Sequence, residues 1–201
     1  IVVTNSDLEN QFVHRVVPAD IPVYRSQFSD PLSGIAAALE EYPAEAVVRI
    51  CSGWPFLDVT LVDQLVRTAH AADECDCACY CLRDGRPTVL CAVGVYVEWF
   101  RAEALREAAR CARSPSDRQH VTSYLYRHPR QYHIRLIPAP EQSDRDDLRL
   151  AVGMEEDWEH AITIFEALGP DLDWHRIADL LDHHPALRQR MEALNRVHAH
   201  G

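Results

Sequence analysis

Residues 46–51 are Ala46-Val47-Val48-Arg49-Ile50-Cys51, a nearly continuous apolar run rich in valine and isoleucine. Such runs are typical of central strands in parallel sheets, which are buried on both faces. The run stops at Ser52-Gly53-Trp54-Pro55, where glycine and proline favour a loop. A helix is predicted from about Val59 to Ala72, because its apolar residues fall on one side. This strand–loop–helix unit indicates an α/β fold.

The same alternation is found upstream of this unit. Ile1 to Asn5 is predicted to be a buried strand, a short helix follows from about Asp7, and residues 21–25 form a second short strand. Asp30-Pro31 then supplies a helix cap and a proline at the first helical position. Strands and helices that alternate over about 70 residues predict βαβ units and a parallel sheet.

Downstream of residue 72, the pattern predicts four more strands and three more helices. The predicted strands cover 75–82, 89–100, 132–138 and 148–152, with Asp84-Gly85 as the turn between the first two, and the predicted helices cover 101–113, 116–128 and 155–168. Residues 174–196 are predicted to form a mostly helical tail. We expect one α/β domain over residues 1–170 and a helical C-terminal extension of that domain over 171–201.

The composition excludes several classes of function. The chain has 201 residues and a net charge of −11, which disfavours a nucleic-acid partner. Its 20 basic residues are all arginine, so Schiff-base chemistry and a phosphate-loop lysine are excluded. The G-x-S-x-G motif of serine hydrolases and the G-x-G-x-x-G motif of dinucleotide-binding proteins do not occur.

The sequence also bears on where the protein is found. No apolar run approaches the roughly 18 residues of a membrane span, and the seven cysteines occur without a secretory signal. We therefore expect a cytoplasmic protein with reduced cysteines.

Four groups of residues, taken in order, share their pattern with one known family. They are residues 21–25 with Asp30-Pro31-Leu32; Val47-Val48-Arg49-Ile50 with Pro55-Phe56-Leu57-Asp58; Ser116-Asp117-Arg118-Gln119-His120-Val121-Thr122 with Tyr126-Arg127-His128-Pro129; and Leu148-Arg149-Leu150-Ala151-Val152 with Glu156-Asp157. These groups resemble the cytidylyltransferases of spore coat polysaccharide biosynthesis and the related acylneuraminate-type CMP-sugar synthetases. The third group is the most specific, and the resemblance covers nearly the whole chain.

The resemblance implies a Rossmann-like three-layer α/β/α sandwich with a mostly parallel sheet, which is the nucleotide-diphospho-sugar transferase fold. It also implies the reaction of CTP with a sugar or sugar acid to give a CMP-sugar and pyrophosphate, in the synthesis of cell-surface polysaccharide. In that reaction Mg²⁺ holds the triphosphate, so the carboxylates that bind the metal are essential. Members of the family commonly pair, so a homodimer is expected, with Trp99, Phe100 and the strand before them as the apolar contact surface.

The chain departs from the family at the positions that carry charge. The family's first strand and its nucleotide-binding loop have no counterpart, and we expect them upstream of Ile1. The metal-binding aspartate positions fall at Gly53, Tyr96 and Gly153, and a motif glutamate is replaced by Gln119. A glycine cannot replace the charge of a carboxylate, so little or no Mg²⁺-dependent transfer is expected. The alternative is a non-catalytic relative that acts as a binding or assembly subunit.

Five polar residues still match the family motifs. Arg49, Arg118 and His120 are candidates for substrate binding at the carboxyl ends of the strands, and Asp58 and Glu98 are candidates for binding Mg²⁺. Each of four also has a structural interpretation. Arg49 and Arg118 are equally suited to ion pairs with acidic neighbours, His120 to a local cap, and Asp58 to the N-cap of the following helix.

Cysteines and histidines are the remaining candidate metal ligands. Cys75, Cys77, Cys79 and Cys81 are spaced by two, which on a strand places them in a row on one face rather than around a tetrahedron. We therefore predict that they are buried apolar residues that bind no zinc. The histidines near the C-terminus are predicted to be solvated; they are His175, His183, His184, His198 and His200.

Overall fold

The computed structural model describes residues 1–4, 13–71, 74–145, 147–170 and 172–198. The helix predicted from Asp7 falls outside these residues. Near the N-terminus, strands β1 (Val2–Thr4) and β2 (Val23–Arg25) form a two-stranded parallel sheet, in which Val2 lies opposite Val23. The two short strands predicted in this part of the chain are therefore confirmed, although β1 is half-buried rather than buried.

A second sheet has four strands in the order β3-β5-β4-β6. They are β3 (Ala46–Arg49), β4 (Cys77–Cys81), β5 (Glu98–Arg101) and β6 (Ile134–Pro138). The backbone N–H of Arg101, at the end of β5, donates to the oxygen of Asp76, just before β4. The N–H of Ala102 donates to the oxygen of Glu45, just before β3. Strand β5 is thus antiparallel to both neighbours. Strands β4 and β6 are parallel to each other, because backbone hydrogen bonds join their two starts and their two ends.

Nine α-helices accompany the strands in the described part of the chain. Proline or capping aspartate starts several of them: Asp30 accepts from the N–H of Ser33 at 2.8 Å, and Pro31 follows it. The helices are α1 (Val13–Val16), α2 (Pro31–Glu41), α3 (Val59–His70), α4 (Ala102–Cys111), α5 (Pro115–Gln119), α6 (Ser123–Arg127), α7 (Glu155–Leu168), α8 (Trp174–His183) and α9 (Pro185–His198). None of the described helices has the length and apolar character that crossing a membrane requires.

Three predicted elements are corrected by the structure. The strand predicted over 89–100 is only β5, because Thr88–Leu90 form a 3₁₀ turn and an irregular segment follows it. The helix predicted over 116–128 is divided into α5 and α6; the Ser123 hydroxyl donates to Asp117, and such side-chain bonds compete with a continuous helix. Residues 148–152 form no strand; their backbone N–H groups bind loop carbonyls instead.

The chain forms two compact units, each assembled from separate segments. The first comprises Ile1–Val47, Glu74–Cys77 and Phe100–Ile134, and its core includes the buried side chains of Leu32, Phe100, Leu105 and Leu125. The second comprises Val48–Asp73, Ala78–Trp99 and Arg135–Gly201, with Leu65, Tyr80, Ile164 and Leu181 among its buried side chains. The division into residues 1–170 and 171–201 stays a prediction.

Candidate functional site

Arg49 and Glu98 meet where the parallel strands of the four-stranded sheet have their carboxyl ends. Because β5 is antiparallel to β3, the end of β3 and the start of β5 lie together. Open α/β sheets bind ligands at the carboxyl ends of their parallel strands. Arg49 donates to the Glu98 carboxylate at 3.0 Å, and its guanidinium lies 5.6 Å from the centre of the Trp54 ring. Glu98 is fully buried, and the Arg49 side chain is 22% exposed. The ion pair considered for Arg49 is therefore present, and a role in ligand binding stays a prediction.

Gly53, in the loop after β3, touches the backbone of residue 152. The Val152 N–H donates to the Gly53 oxygen at 2.7 Å. A Cβ added to Gly53 would lie 2.5 Å from the Val152 oxygen. This distance is too short for any side chain unless the backbone moves. This position therefore excludes an aspartate for lack of space.

Gly94 also lies against the backbone of residues 150–152. The N–H groups of Leu150 and Ala151 both donate to the Ala92 oxygen, at 2.9 and 3.0 Å. Gly94 has a φ of 73°, and a Cβ there would lie 2.3 Å from the Ala151 nitrogen. Residues 150–152 are thus held by backbone contacts to two loops, and both contacts require glycine.

Gly153 follows that segment and precedes α7, where Asp157 organises the chain. The N–H groups of Gly153 and Met154 donate to one Asp157 oxygen at 3.0 and 3.2 Å. Arg149 donates to both oxygens at 2.5 and 3.0 Å. Burial favours the neutral acid, but these hydrogen bonds outweigh it and lower the pKa of Asp157 below its ordinary value. Both oxygens of this carboxylate are therefore already engaged.

Tyr96, at another position where the resemblance predicts a metal-binding aspartate, has a buried side chain. Its ring centre lies 4.9 Å from that of Tyr80, whose hydroxyl donates to the Leu61 oxygen at 3.1 Å. Burial is the main reason that the pKa of Tyr80 is raised to about 12. The position therefore contributes to the packed interior of its unit.

Asp58 caps helix α3. Its carboxylate accepts from the N–H groups of Thr60 and Leu61 at 2.8 and 3.3 Å, which confirms the predicted cap. Mg²⁺ needs accessible oxygen ligands in a near-octahedral arrangement. Among the described residues, no three His, Cys, Asp or Glu side chains are arranged to hold a metal ion. Asp58 and Glu98 are engaged in a cap and an ion pair, so the described residues do not fit the expected Mg²⁺ site.

The model of one protein family, the MobA-like NTP transferase domain, matches residues 1–143. The chain belongs to this family. Among curated relatives, it is 25% identical over 186 residues to the uncharacterized protein MJ1063 of Methanocaldococcus jannaschii, covering 90% of this chain and 71% of the relative. It is 24% identical over 201 residues to the spore coat polysaccharide biosynthesis protein SpsF of Bacillus subtilis, covering 96% of this chain and 79% of the relative.

Solved structures confirm the fold of this MobA-like domain. A cytidylyltransferase from Leptospira borgpetersenii has a TM-score of 0.79 at 18% identity, with 92% of this chain and 76% of that chain covered. A 4-diphosphocytidyl-2C-methyl-D-erythritol synthase from Anaerococcus prevotii has a TM-score of 0.52 at 9% identity, with 79% and 78% covered. The predicted nucleotide-diphospho-sugar transferase fold and the resemblance to cytidylyltransferases are thereby confirmed.

Arg118 and His120 lie in the first compact unit of this MobA-like domain. Arg118 donates to the Ser33 hydroxyl at 2.8 Å and to Asp30 at 3.4 Å. His120 is exposed and ends α5, where its N–H donates to the Ser116 oxygen. The ion pair and the local cap are both observed. Substrate binding by these two residues stays a prediction.

The contact surface predicted for self-association is wrong, because its aromatic residues are buried within the chain. Trp99 is 6% exposed and Phe100 is fully buried, because β5 is an interior strand of the four-stranded sheet. The homodimer itself stays a prediction.

The predicted environments of the cysteines and histidines are largely observed. Cys75, Cys77 and Cys79 are buried, and Cys81 is partly buried. The absence of zinc binding stays a prediction. His175, His183 and His184 are exposed as predicted, whereas His200 and the side chain of His198 lie outside the described residues.

Sequence reasoning missed two parts of the site, namely Gly94 and the pair of Arg149 with Asp157. A glycine inside an apolar run indicates that another backbone approaches closely, so the contact at Gly94 could have been predicted. Arg149 and Asp157 stand in the matched motif, but their pairing has no signature of its own.

Proposed function

We propose that this protein acts in the cytoplasm, in nucleotide-sugar metabolism for cell-surface polysaccharide. In this proposal it binds a cytidine nucleotide and a sugar or sugar acid but does not carry out Mg²⁺-dependent cytidylyl transfer. Membership of the MobA-like NTP transferase family supports the ligand class. The similarity to SpsF and to the Leptospira cytidylyltransferase favours the cytidine nucleotide and the polysaccharide context.

One observation carries the second half of the proposal, namely the contact of Gly53 with Val152. A carboxylate at position 53 would have to displace the Val152 carbonyl, 2.5 Å from the Cβ position. Metal neutralisation of a triphosphate is worth several kcal/mol. Losing even ~4 kcal/mol of transition-state stabilisation slows a reaction about a thousandfold. A binding or assembly subunit is the role that remains.

The competing hypothesis is an active cytidylyltransferase in which Asp58 and Glu98 hold Mg²⁺. Both carboxylates would have to leave their present partners, since Asp58 caps α3 and Glu98 pairs with Arg49. The cost of separating the buried Glu98 carboxylate from its arginine is the reason to prefer the binding role.

Pyrophosphate release from CTP, Mg²⁺ and a panel of sugar acids tests the proposal. The assay is run on residues 1–201 and on the complete gene product, so that any nucleotide loop encoded upstream is present. Little or no release is expected from either. Release that is robust, requires Mg²⁺ and is lost in Asp58→Asn or Glu98→Gln would establish the competing hypothesis.

Calorimetric titration of CTP into the complete gene product tests the binding role. We expect binding that is equally strong in Mg²⁺ and in EDTA. Gly153→Ala serves as a matched variant, because a Cβ there lies 3.7 Å from its nearest neighbour, Asp157, and adds no charge. This variant is expected to fold and to bind CTP as the wild type does. Failure to bind CTP in either buffer would contradict the proposed ligand.

A further inference from the structure

Helix α7 has a buried face and an apolar exposed face. Ile164 and Ala161 are among its buried residues. Directly beside this face, Trp158, Ile162 and Phe165 are 58%, 39% and 51% exposed. Their spacing of four and three residues aligns them in one stripe along the helix. No other described helix carries more than one large apolar side chain with comparable exposure.

We propose that this stripe binds the same stripe of a second copy, with the two α7 helices antiparallel. Ile162 lies near the centre of the stripe, with Trp158 four residues before it and Phe165 three residues after it. A two-fold axis at Ile162 therefore sets Trp158 against the partner's Phe165. A single patch that meets itself in this way is the geometry of an isologous dimer.

The charges at the ends of α7 favour the antiparallel arrangement. The first turns carry the exposed acids Glu155, Glu156 and Glu159. At the other end, Arg176 donates to the Leu168 oxygen at 3.3 Å, which places its guanidinium beside the end of the helix. An antiparallel pair brings the partner's Arg176 to the acidic end, twice per dimer. A parallel pair would set acid against acid.

The stripe is the centre of an interface rather than the whole of it. A fully covered aromatic side chain buries roughly 150–250 Å², and about half of Trp158 and Phe165 is available. A stable interface needs about 800 Å² from each partner. Neighbouring polar residues must therefore supply the rim, as is usual around an aromatic hot spot. We expect a dimer that forms in a concentration-dependent way.

Sedimentation equilibrium over about 1–100 µM tests the proposal. The wild-type mass is expected to rise from 22.9 kDa toward twice that value. Ile162→Glu places two carboxylates at the two-fold axis and is expected to stay monomeric. Trp158→Ala, which removes apolar area without adding charge, is expected to weaken the dimer at least tenfold. Val197→Glu is the matched control, because Val197 is exposed on α9.

Charge reversal tests the orientation. Glu155→Arg with Glu159→Arg is expected to weaken the dimer, and the further change Arg176→Glu is expected to restore it. Circular dichroism checks that each variant stays helical. A chain that is monomeric up to the highest concentration overturns the proposal and points to a different protein on this face. A dimer that survives both Ile162→Glu and Trp158→Ala also overturns it. The outcome is independent of CTP binding, which Ile162→Glu should leave unchanged.

Discussion

The Val152 carbonyl oxygen lies 2.5 Å from the point where a side chain on Gly53 would begin. The Val152 N–H also donates to the Gly53 oxygen at 2.7 Å, so the two backbones are joined as well as close. Glycine at position 53 is therefore required by the packing of the 150–152 segment. The close approach of the two segments leaves no room for a carboxylate at a position where the family resemblance predicts a metal-binding aspartate.

Gly53→Ala is expected to lower the free energy of unfolding by about 1–3 kcal/mol, because the new methyl group forces backbone to shift. Gly53→Asp should cost more, since it adds a charge beside a carbonyl oxygen. Urea unfolding at pH 7 measures both. The control is Gly153→Ala, whose Cβ has only Asp157 nearby at 3.7 Å. Equal losses at the two glycines would show that space at position 53 is not the constraint.

Much of the fold was predictable from local pattern. The helix predicted over 155–168 matches α7 at both ends, and Asp58 was recognisable as the cap of α3. Residues 148–152 were mistaken for a strand for a physical reason. Apolar residues at alternate positions, here Leu148, Leu150 and Val152, indicate burial and an extended backbone. They do not tell whether the hydrogen-bond partner is a strand or a loop. Here the partners are Ala92 and Gly53.

The site was predictable in its residues but not in its contacts. Motif matching located the positions of Gly53, Tyr96 and Gly153. It did not show that Tyr96 packs on Tyr80, or that Val152 fills the space beside Gly53. Such contacts join residues far apart in sequence, and spacing within one motif carries no information about them.

The pair of Arg49 and Glu98 is expected to be strongly coupled. Arg49→Met leaves the buried Glu98 carboxylate without its arginine and should cost about 3–5 kcal/mol of stability. Adding Glu98→Gln to Arg49→Met should recover part of that loss, because the uncompensated charge is removed. Urea unfolding of the two single variants and the double variant gives the coupling energy. Arg67→Met, on the exposed side of α3, is the control.

CTP titration of the same Arg49 variants separates a structural role from ligand binding. If Arg49 holds the ligand, affinity falls in the double variant even where stability recovers. Strict additivity of the two changes in stability would contradict the coupling.

Asp157 is expected to stabilise the fold above its ordinary pKa of 3.8. Its folded-state pKa is lowered, so this contribution is present above about pH 4 and is lost as the pH falls toward the folded value. Asp157→Asn leaves Arg149 buried without its counter-charge and should cost about 3–5 kcal/mol at pH 7. Urea unfolding between pH 7 and pH 3 should show a smaller loss on acidification for the variant. Glu156→Gln, an exposed neighbour, should behave as wild type; an unchanged acid limb in Asp157→Asn would refute the assignment.

His160 is expected to make the protein less stable in mild acid. The residue is buried in α7, and its Nδ1 has no hydrogen-bond partner among the described residues. Burial is the main cause that lowers its pKa below 6.5. Asp157 and Glu159 oppose this shift, and Arg190 and Arg149 add to it. Between the unfolded and folded values, the unfolded chain binds the proton more tightly, so stability is present above pH 6.5 and falls below it.

His160→Leu tests this expectation, because it removes the titrating group and the unpartnered nitrogen while filling similar space. The variant should be close to wild type at pH 8 and more stable than wild type at pH 5.5, measured by urea unfolding. Thr163→Leu, exposed on the same helix, controls for the added apolar residue. Parallel loss of stability by wild type and His160→Leu between pH 8 and pH 5.5 would assign the acid sensitivity to other groups.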